Sequence, residues 1–310
     1  MNTSHRHENL SELQAQRSHR LILSLGITLA FVIFEVISGY LANSLALLTD
    51  AAHNLTDVLT LALSWVAIRL ALKPATSNHT YGFHRAGILI ALVNATSLIV
   101  VSVFVGVEAY HRFRDPLEIQ STLMSVASGI AFVVNLVTAL LVRHGSHSDL
   151  NLRSAYLHLM GDVFSTLGAF LAGIVIAFTG YNWLDPLVSL LIVGLILWNA
   201  LKIILETIHI LLESTPRDVN VERLVSDLRQ VPGVIDVHDL HVWSITSEMR
   251  SLSAHVVTED ICLSEGALIQ EKIGQLLRER YAITHATLQL ECEECNPSML
   301  YCDLNLNNSH

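Results

Sequence analysis

Six stretches of mostly apolar residues follow one another between Leu21 and about Leu205, each near the ~20 residues that an α-helix needs to cross a bilayer. They are Leu21–Leu41, Leu45–Leu72, Ala86–Val107, Ile119–Val142, Ser154–Thr179 and Trp183–Leu201, and the third and fourth contain no Asp, Glu, Lys or Arg. Composition agrees: 52% of the 310 residues are hydrophobic and only 15% charged, the balance of a membrane protein with the lipid bilayer as its partner. A net charge of −10 leaves no basic face to neutralise phosphate, which argues against nucleic acid. The first 20 residues are polar. The run after them holds Glu35 and lacks a small-residue cleavage site, so it reads as a retained helix and not as a signal peptide.

Short turns at Ala42–Ser44 and Gly180–Asn182 join neighbouring spans. Arg6, Arg17, Arg20, Arg69, Lys73, Arg85, Arg143, Arg153 and Lys202 fall on one side, against Arg112 and Arg114 on the other. The excess of basic residues marks the cytosolic side, which puts both termini in the cytosol of a multi-pass protein. The expected organisation is a cytosolic segment over 1–20, a six-span domain over 21–205 and a cytosolic domain over 206–310. In the last of these, Val219–Gln230 has helical spacing, Val234–Ile245 and Met249–Val257 alternate as strands, Ser264–Tyr281 is an amphipathic helix capped by Ser264, and Ala286–Leu290 is a short strand. That order predicts a small α+β sandwich with one sheet and helices on one face.

The second span carries Asp50, His53 and Asp57, and the fifth carries His158 and Asp162. An ionisable group at a helix centre costs roughly 2.5–3.5 kcal/mol on insertion, so five on two helices demand a reason. Both spans contain H-x-x-x-D, and a spacing of i,i+4 puts the two side chains on one helical face. The two helices run antiparallel, so His53 can face Asp162 while Asp57 faces His158. Two imidazoles and two carboxylates make a tetrahedral N2O2 shell suited to zinc. A packing hydrogen bond or a proton relay without metal is the plainer reading of one such pair, and the second matching pair favours the metal. The depths agree only if the second helix projects into the cytosol or the helices tilt, because His158 is a few residues from its inner end while Asp57 precedes Leu72 by 15. Protons arriving from outside would displace zinc, since its ligands must be deprotonated to bind it.

The stretch Ser44–Asp57, with Thr80–Arg85, Ala155–Asp162 and His285–Glu291, resembles the cation diffusion facilitators, close to the bacterial zinc/cobalt/cadmium exporters. The likeness runs from about Arg20 to Glu291. It implies a homodimer with six spans per subunit, a ferredoxin-like, metallochaperone-like tail, residence in the cell membrane, and zinc export coupled to inward proton movement. It also implies a transport site of His53, Asp57, His158 and Asp162, and a tail zinc site of His238 and His255 with Glu291 and His285, acting as a regulatory ligand site. Cys292 and Cys295 form a C-x-x-C beside those ligands, a reasonable zinc half-site. All four cysteines lie in the tail and stay reduced in the cytosol. Strand alternation would put His238 and His241 on opposite faces, which makes His241 structural.

Other polar positions are less committal. Glu35 can line the ion path or make a bundle-facing hydrogen bond to a Ser or Asn. Asn94 and Asn135 suit interhelical packing. His79 and His84 belong to a solvated loop, and His5, His7, His19, His144 and His147 are too sparse for a metal-capture tract. A membrane-bound zinc sensor and an intramembrane metalloenzyme are the competing functions. The chain has no H-E-x-x-H, G-x-S-x-G or Walker loop, and a closed four-ligand shell has no open position for substrate water.

Overall fold

The computed structural model describes residues 26, 28–143 and 150–292, with the backbone alone for 150–155. Among the described residues five helices are long and apolar enough to cross a membrane: α2 (Leu45–Ala71), α3 (Ala86–Arg114), α4 (Ser121–Arg143), α5 (Leu150–Thr179) and α6 (Leu184–Leu211). A shorter apolar helix, α1 (Thr28–Ala42), precedes them within the predicted first span. The turn after α1 closes through Ser44 N–H to Gly39 C=O (3.0 Å) and Asn43 N–H to Tyr40 C=O (3.2 Å), with Asn43 at φ 54°. Left-handed backbone of this kind ends a helix and uses its last carbonyls, and Asn tolerates it better than most residues. Two helices outrun their expected ends. Polar residues stop a hydropathy count but not a helix: α3 continues to Arg114 with Arg112 Nε 2.9 Å from Glu108 one turn back, and α6 continues past Lys202 to Leu211.

The described residues fall into two compact units, 28–66 with 91–204, and 67–90 with 205–292. In the first, the buried core is rich in small residues, among them Ala42, Ala46, Ala95, Ala127, Ala169 and Ala172. Large apolar side chains such as Phe104, Leu141 and Phe178 point outward. This is the packing of helices in lipid, where close backbone approach replaces a water-driven core. A Cβ on Gly173 of α5 would lie 2.6 Å from Ser125 Oγ and 3.1 Å from Ser125 N of α4, so only glycine lets these helices come so near.

The tail contains α7 (Val221–Arg229), β1 (Asp236–Ser244), β2 (Arg250–Val257), α8 (Leu263–Tyr281) and β3 (Ile283–Glu291). β1 pairs antiparallel with β2, and β2 pairs parallel with β3. A parallel pair needs a long crossover, which α8 supplies. Leu224, Leu228, Val237, Leu240, Leu252, Val256, Ile273 and Leu277 form its core. Asn220 caps α7, its side chain accepting from Arg223 N–H at 2.8 Å. Three expectations change. The residue at the N-cap of α8 is Cys262, whose side chain makes no bond to the helix backbone, and Ser264 lies inside the first turn. The last strand is longer than Ala286–Leu290, because α8 ends at left-handed Ala282 and β3 starts on the next residue. Strict alternation in β1 also fails: the register with β2 shifts between His238 and His241, and Asp239 has φ 46°. This bulge turns Val237, Leu240 and Val242 toward the core. His238 opposite His255, and His241 opposite Ser253, then share the other face.

The end of α8 is held to α7 by Asp227, which accepts from Tyr281 Oη (2.9 Å) and Arg280 Nη1 (3.0 Å). The Tyr281 hydroxyl and then the Arg280 guanidinium hold the Asp227 carboxyl below its usual range. Gly233 follows α7 at φ +99°, and a Cβ there would meet Ile269 Cδ1 at 2.5 Å. Gly233→Ala is expected to destabilise the tail by roughly 1–3 kcal/mol through strain and overpacking. Its thermal unfolding midpoint should fall, and an unchanged midpoint would show that the turn relaxes freely.

Candidate metal centres

One centre lies between α2 and α5. His53 Nε2 is 3.7 Å from Asp57 Oδ2 on its own helix and 3.5 Å from Asp162 Oδ1 across the pair. His158 Nε2 is 3.1 Å from Asp57 Oδ2 and 3.9 Å from Asp162 Oδ2. Each imidazole therefore faces both carboxylates, and the two rings meet edge to face at 5.5 Å. The cross-helix pairing anticipated from spacing is present. α5 begins at Leu150 and not Ser154, which sets His158 a further turn inside the helix and narrows the depth mismatch with Asp57, beyond which α2 runs on to Ala71. His53 and Asp162 are largely enclosed, whereas Asp57 and His158 are one-third or more exposed, so the cluster is reached from their side. His53, His158 and Asp162 can bring one ligand atom each within 4.8 Å of one another.

A set of polar bonds fixes α2, the helix that carries half of this centre. Asp185, fully buried in the first turn of α6, accepts from Ser44 Oγ (2.6 Å), Leu45 N–H (2.7 Å) and Ala46 N–H (3.1 Å). A neighbouring helix thus caps the start of α2 with a carboxyl group, where free N–H groups need acceptors. One turn further, Thr49 Oγ1 and Ser189 Oγ are 2.7 Å apart. Ser165 Oγ of α5 donates to Asp50 Oδ1 at 2.6 Å. The sequence reading missed Asp185, although an acidic residue in a helix's first turn was a visible signal.

The second cluster is in the tail. His255 Nδ1 lies 2.9 Å from Glu291 Oε1, and His238 Nε2 lies 3.3 Å from Glu291 Oε2. Yet among the described residues His238 Nε2, His255 Nδ1 and Glu291 Oε2 are all buried without a hydrogen bond. Buried polar atoms are normally paired, and three that converge without bonds fit a cation held between them. His238, His255 and Glu291 are within ligating reach of one another. Asp239 flanks them, its carboxylate 3.7 Å from His255 Nε2 and 3.2 Å from His241 Nε2. This residue was not foreseen, since only the bulge aims it there. His285 does not join the group. It is six positions from Glu291 on β3, roughly 20 Å at about 3.3 Å per residue, and its ring meets Tyr81 at 5.9 Å. Cys292 is exposed and outside the cluster, while Cys295 lies outside the described residues. His79 stacks on Phe83 at 4.4 Å, and neither His79 nor His84 enters a metal-ligating group among the described residues.

A bundle of long apolar helices with a His–Asp centre inside it, followed by an α+β domain, defines an integral membrane protein that handles cations. The chain belongs to the cation efflux family: its transmembrane domain matches residues 21–212 and its cytoplasmic domain residues 216–293. Family membership makes it a transporter and not an enzyme. It is 40% identical over 279 residues, 89% of each chain, to a cadmium, cobalt and zinc/H(+)-K(+) antiporter of Bacillus subtilis. It is 36% identical to the zinc transporter ZitB of Pectobacterium atrosepticum, covering 97% of this chain and 93% of that one. The metal cation efflux system protein CzcD of Cupriavidus metallidurans is 36% identical, over 89% of this chain and 87% of its own.

The cap on α2 generates a stability prediction. Asp185→Ala removes the acceptor for two buried backbone N–H groups and is expected to cost about 2–3 kcal/mol. A detergent-solubilised sample should melt earlier, and wild-type melting would show that Ser44 alone caps the helix.

Proposed function

We propose that this chain exports zinc from the cytosol in exchange for protons, holding the ion during translocation with His53, Asp57, His158 and Asp162. The observation that carries the reading is the closed set of four imidazole-to-carboxylate separations, 3.1–3.9 Å, between two apolar helices. Two nitrogens and two oxygens supply the mixed donor set that a tetrahedral zinc ion takes. Relatives named for zinc transport and for cadmium, cobalt and zinc antiport support the same class of cargo, so cobalt and cadmium are further substrates. The ligands suit exchange for protons, because an imidazole binds metal only without its proton, and a relative is named as an antiporter.

In this reading the spans over 21–205 lie in the cell membrane and both termini, with the domain from 206 onward, face the cytosol. The basic residues clustered on that side support the orientation. The chain works as a homodimer through its cytoplasmic domain. His238, His255 and Glu291 hold a regulatory zinc in the tail, supported by their three buried, unbonded atoms.

Transport into everted vesicles under an imposed pH gradient tests the reading. Wild-type vesicles should accumulate zinc and lose it when the gradient collapses. Asp57→Ala and Asp162→Ala should fall to background while expressing and assembling normally, and wild-type rates in both would refute the four-ligand site.

A further inference from the structure

Next to the His–Asp centre, a second polar group is buried that the four ligands do not use. Glu35 on α1 is fully buried and Asp50 on α2 nearly so. Asn54 joins them: its Nδ2 donates to Glu35 Oε2 at 2.8 Å and reaches Asp50 Oδ2 at 3.5 Å. Asp50 Oδ1 takes the hydroxyl of Ser165 at 2.6 Å. Among the described residues no donor reaches the buried Glu35 Oε1, and the Glu35 and Asp50 carboxyls are within hydrogen-bonding reach of each other once one of them carries a proton. The charged and titratable groups that act on this pair are His53 of α2 and Asp162 of α5. The apolar stretches of α3 and α4 contain no Asp, Glu, Lys or Arg, and Asp185 of α6 is engaged at the start of α2. Two carboxyl groups thus lie side by side in a low-dielectric bundle, and among the described residues no Lys or Arg is one of the groups that act on them.

We propose that Glu35 and Asp50 form a counter-cation site, separate from the metal ligands, that takes a hard monovalent cation during exchange. The donors are carboxylate oxygens, with no imidazole or thiolate, and such a set suits hard cations over zinc. The unbonded Oε1 of Glu35 is where that cation attaches. Two bare carboxylates held together out of water repel one another and lose their hydration, so the pair needs a positive charge whenever the metal centre offers none. Asp50 lies one helical turn before Asn54 and close to His53 on the same helix, so the charge of one site is felt at the other. Zinc on the four ligands then disfavours a cation on the pair, and departure of zinc favours it, which is the exclusion that exchange requires. A proton and an alkali ion share this chemistry, and the test below separates them.

The inference rests on the exporter reading. Glu35→Gln and Asp50→Asn keep the shape and a hydrogen-bonding oxygen but remove the negative charge. Full-length wild type and both variants are purified, titrated with zinc by calorimetry, and reconstituted into liposomes. Zinc flux is then driven by an imposed pH gradient or by an imposed potassium gradient. Both variants should still bind zinc, more weakly because a neighbouring negative charge is gone, yet lose the acceleration that the wild type gains from a gradient. Loss of the response to pH assigns a proton, and loss of the response to potassium assigns an alkali ion. The proposal is overturned if either variant keeps the wild-type response to both gradients. It is overturned equally if Glu35→Gln loses zinc binding itself, which would make Glu35 part of the metal centre. A wild type that binds zinc but moves none under either gradient would overturn the exporter reading along with it.

Discussion

Pairing between α2 and α5 across His53, Asp57, His158 and Asp162 is the interaction on which the membrane unit depends. Each of these groups costs a few kcal/mol in hydrocarbon unless a partner meets it. The helices must therefore be set in depth and rotation so that all four meet, and the arrangement tolerates little slip. A shift of one turn, about 5.4 Å, would break the contacts of 3.1–3.9 Å. The bonds from Asp185 to the start of α2, and from Thr49 to Ser189, fix that setting from α6. Small residues in the core let the backbones come close enough for short side chains to reach. Packing, capping and the His–Asp contacts thus impose one and the same helix register.

The tail solves its own problem differently. A water-facing domain can bury a conventional apolar core, and α7, α8 and the sheet do so. The polar cluster then forms on the opposite side of the strands, where one residue, Asp239, breaks the ladder. Left-handed backbone in a non-glycine residue is costly, yet it brings His238 and His241 onto one face and aims a carboxylate at His255. A metal-ligating histidine commonly presents its second nitrogen to such a carboxylate, which fixes the ring.

What could be read in advance follows from the range of each signal. The H-x-x-x-D pairs were legible because i,i+4 spacing is a local property of any helix, and two matching pairs imply each other. The span limits of α2 were legible for the same reason. The continuation of α6 to Leu211 was not, since hydropathy detects lipid and not helix. The alternation of Val234–Ile245 misled because it assumes an unbroken ladder, and nothing local marks Asp239 as the residue that breaks it. Asp185 was visible as an acidic residue in the first turn of α6, but that it caps α2 depends on a helix end brought to it by the fold. His285 came from resemblance and not from register. Its position opposite Ser251, with Glu291 opposite Val257, separates it from the cluster.

The central claim is that zinc in transit is held by two imidazoles and two carboxylates inside the bundle. X-ray absorption spectroscopy at the zinc edge measures that shell directly. The sample is full-length protein carrying His238→Ala and His255→Ala, loaded with one equivalent of zinc, so that the tail cluster does not contribute. The account predicts four nitrogen or oxygen neighbours at about 2.0–2.1 Å, with imidazole back-scattering from two histidines. A sulfur neighbour at about 2.3 Å, or a shell without histidine, would contradict it.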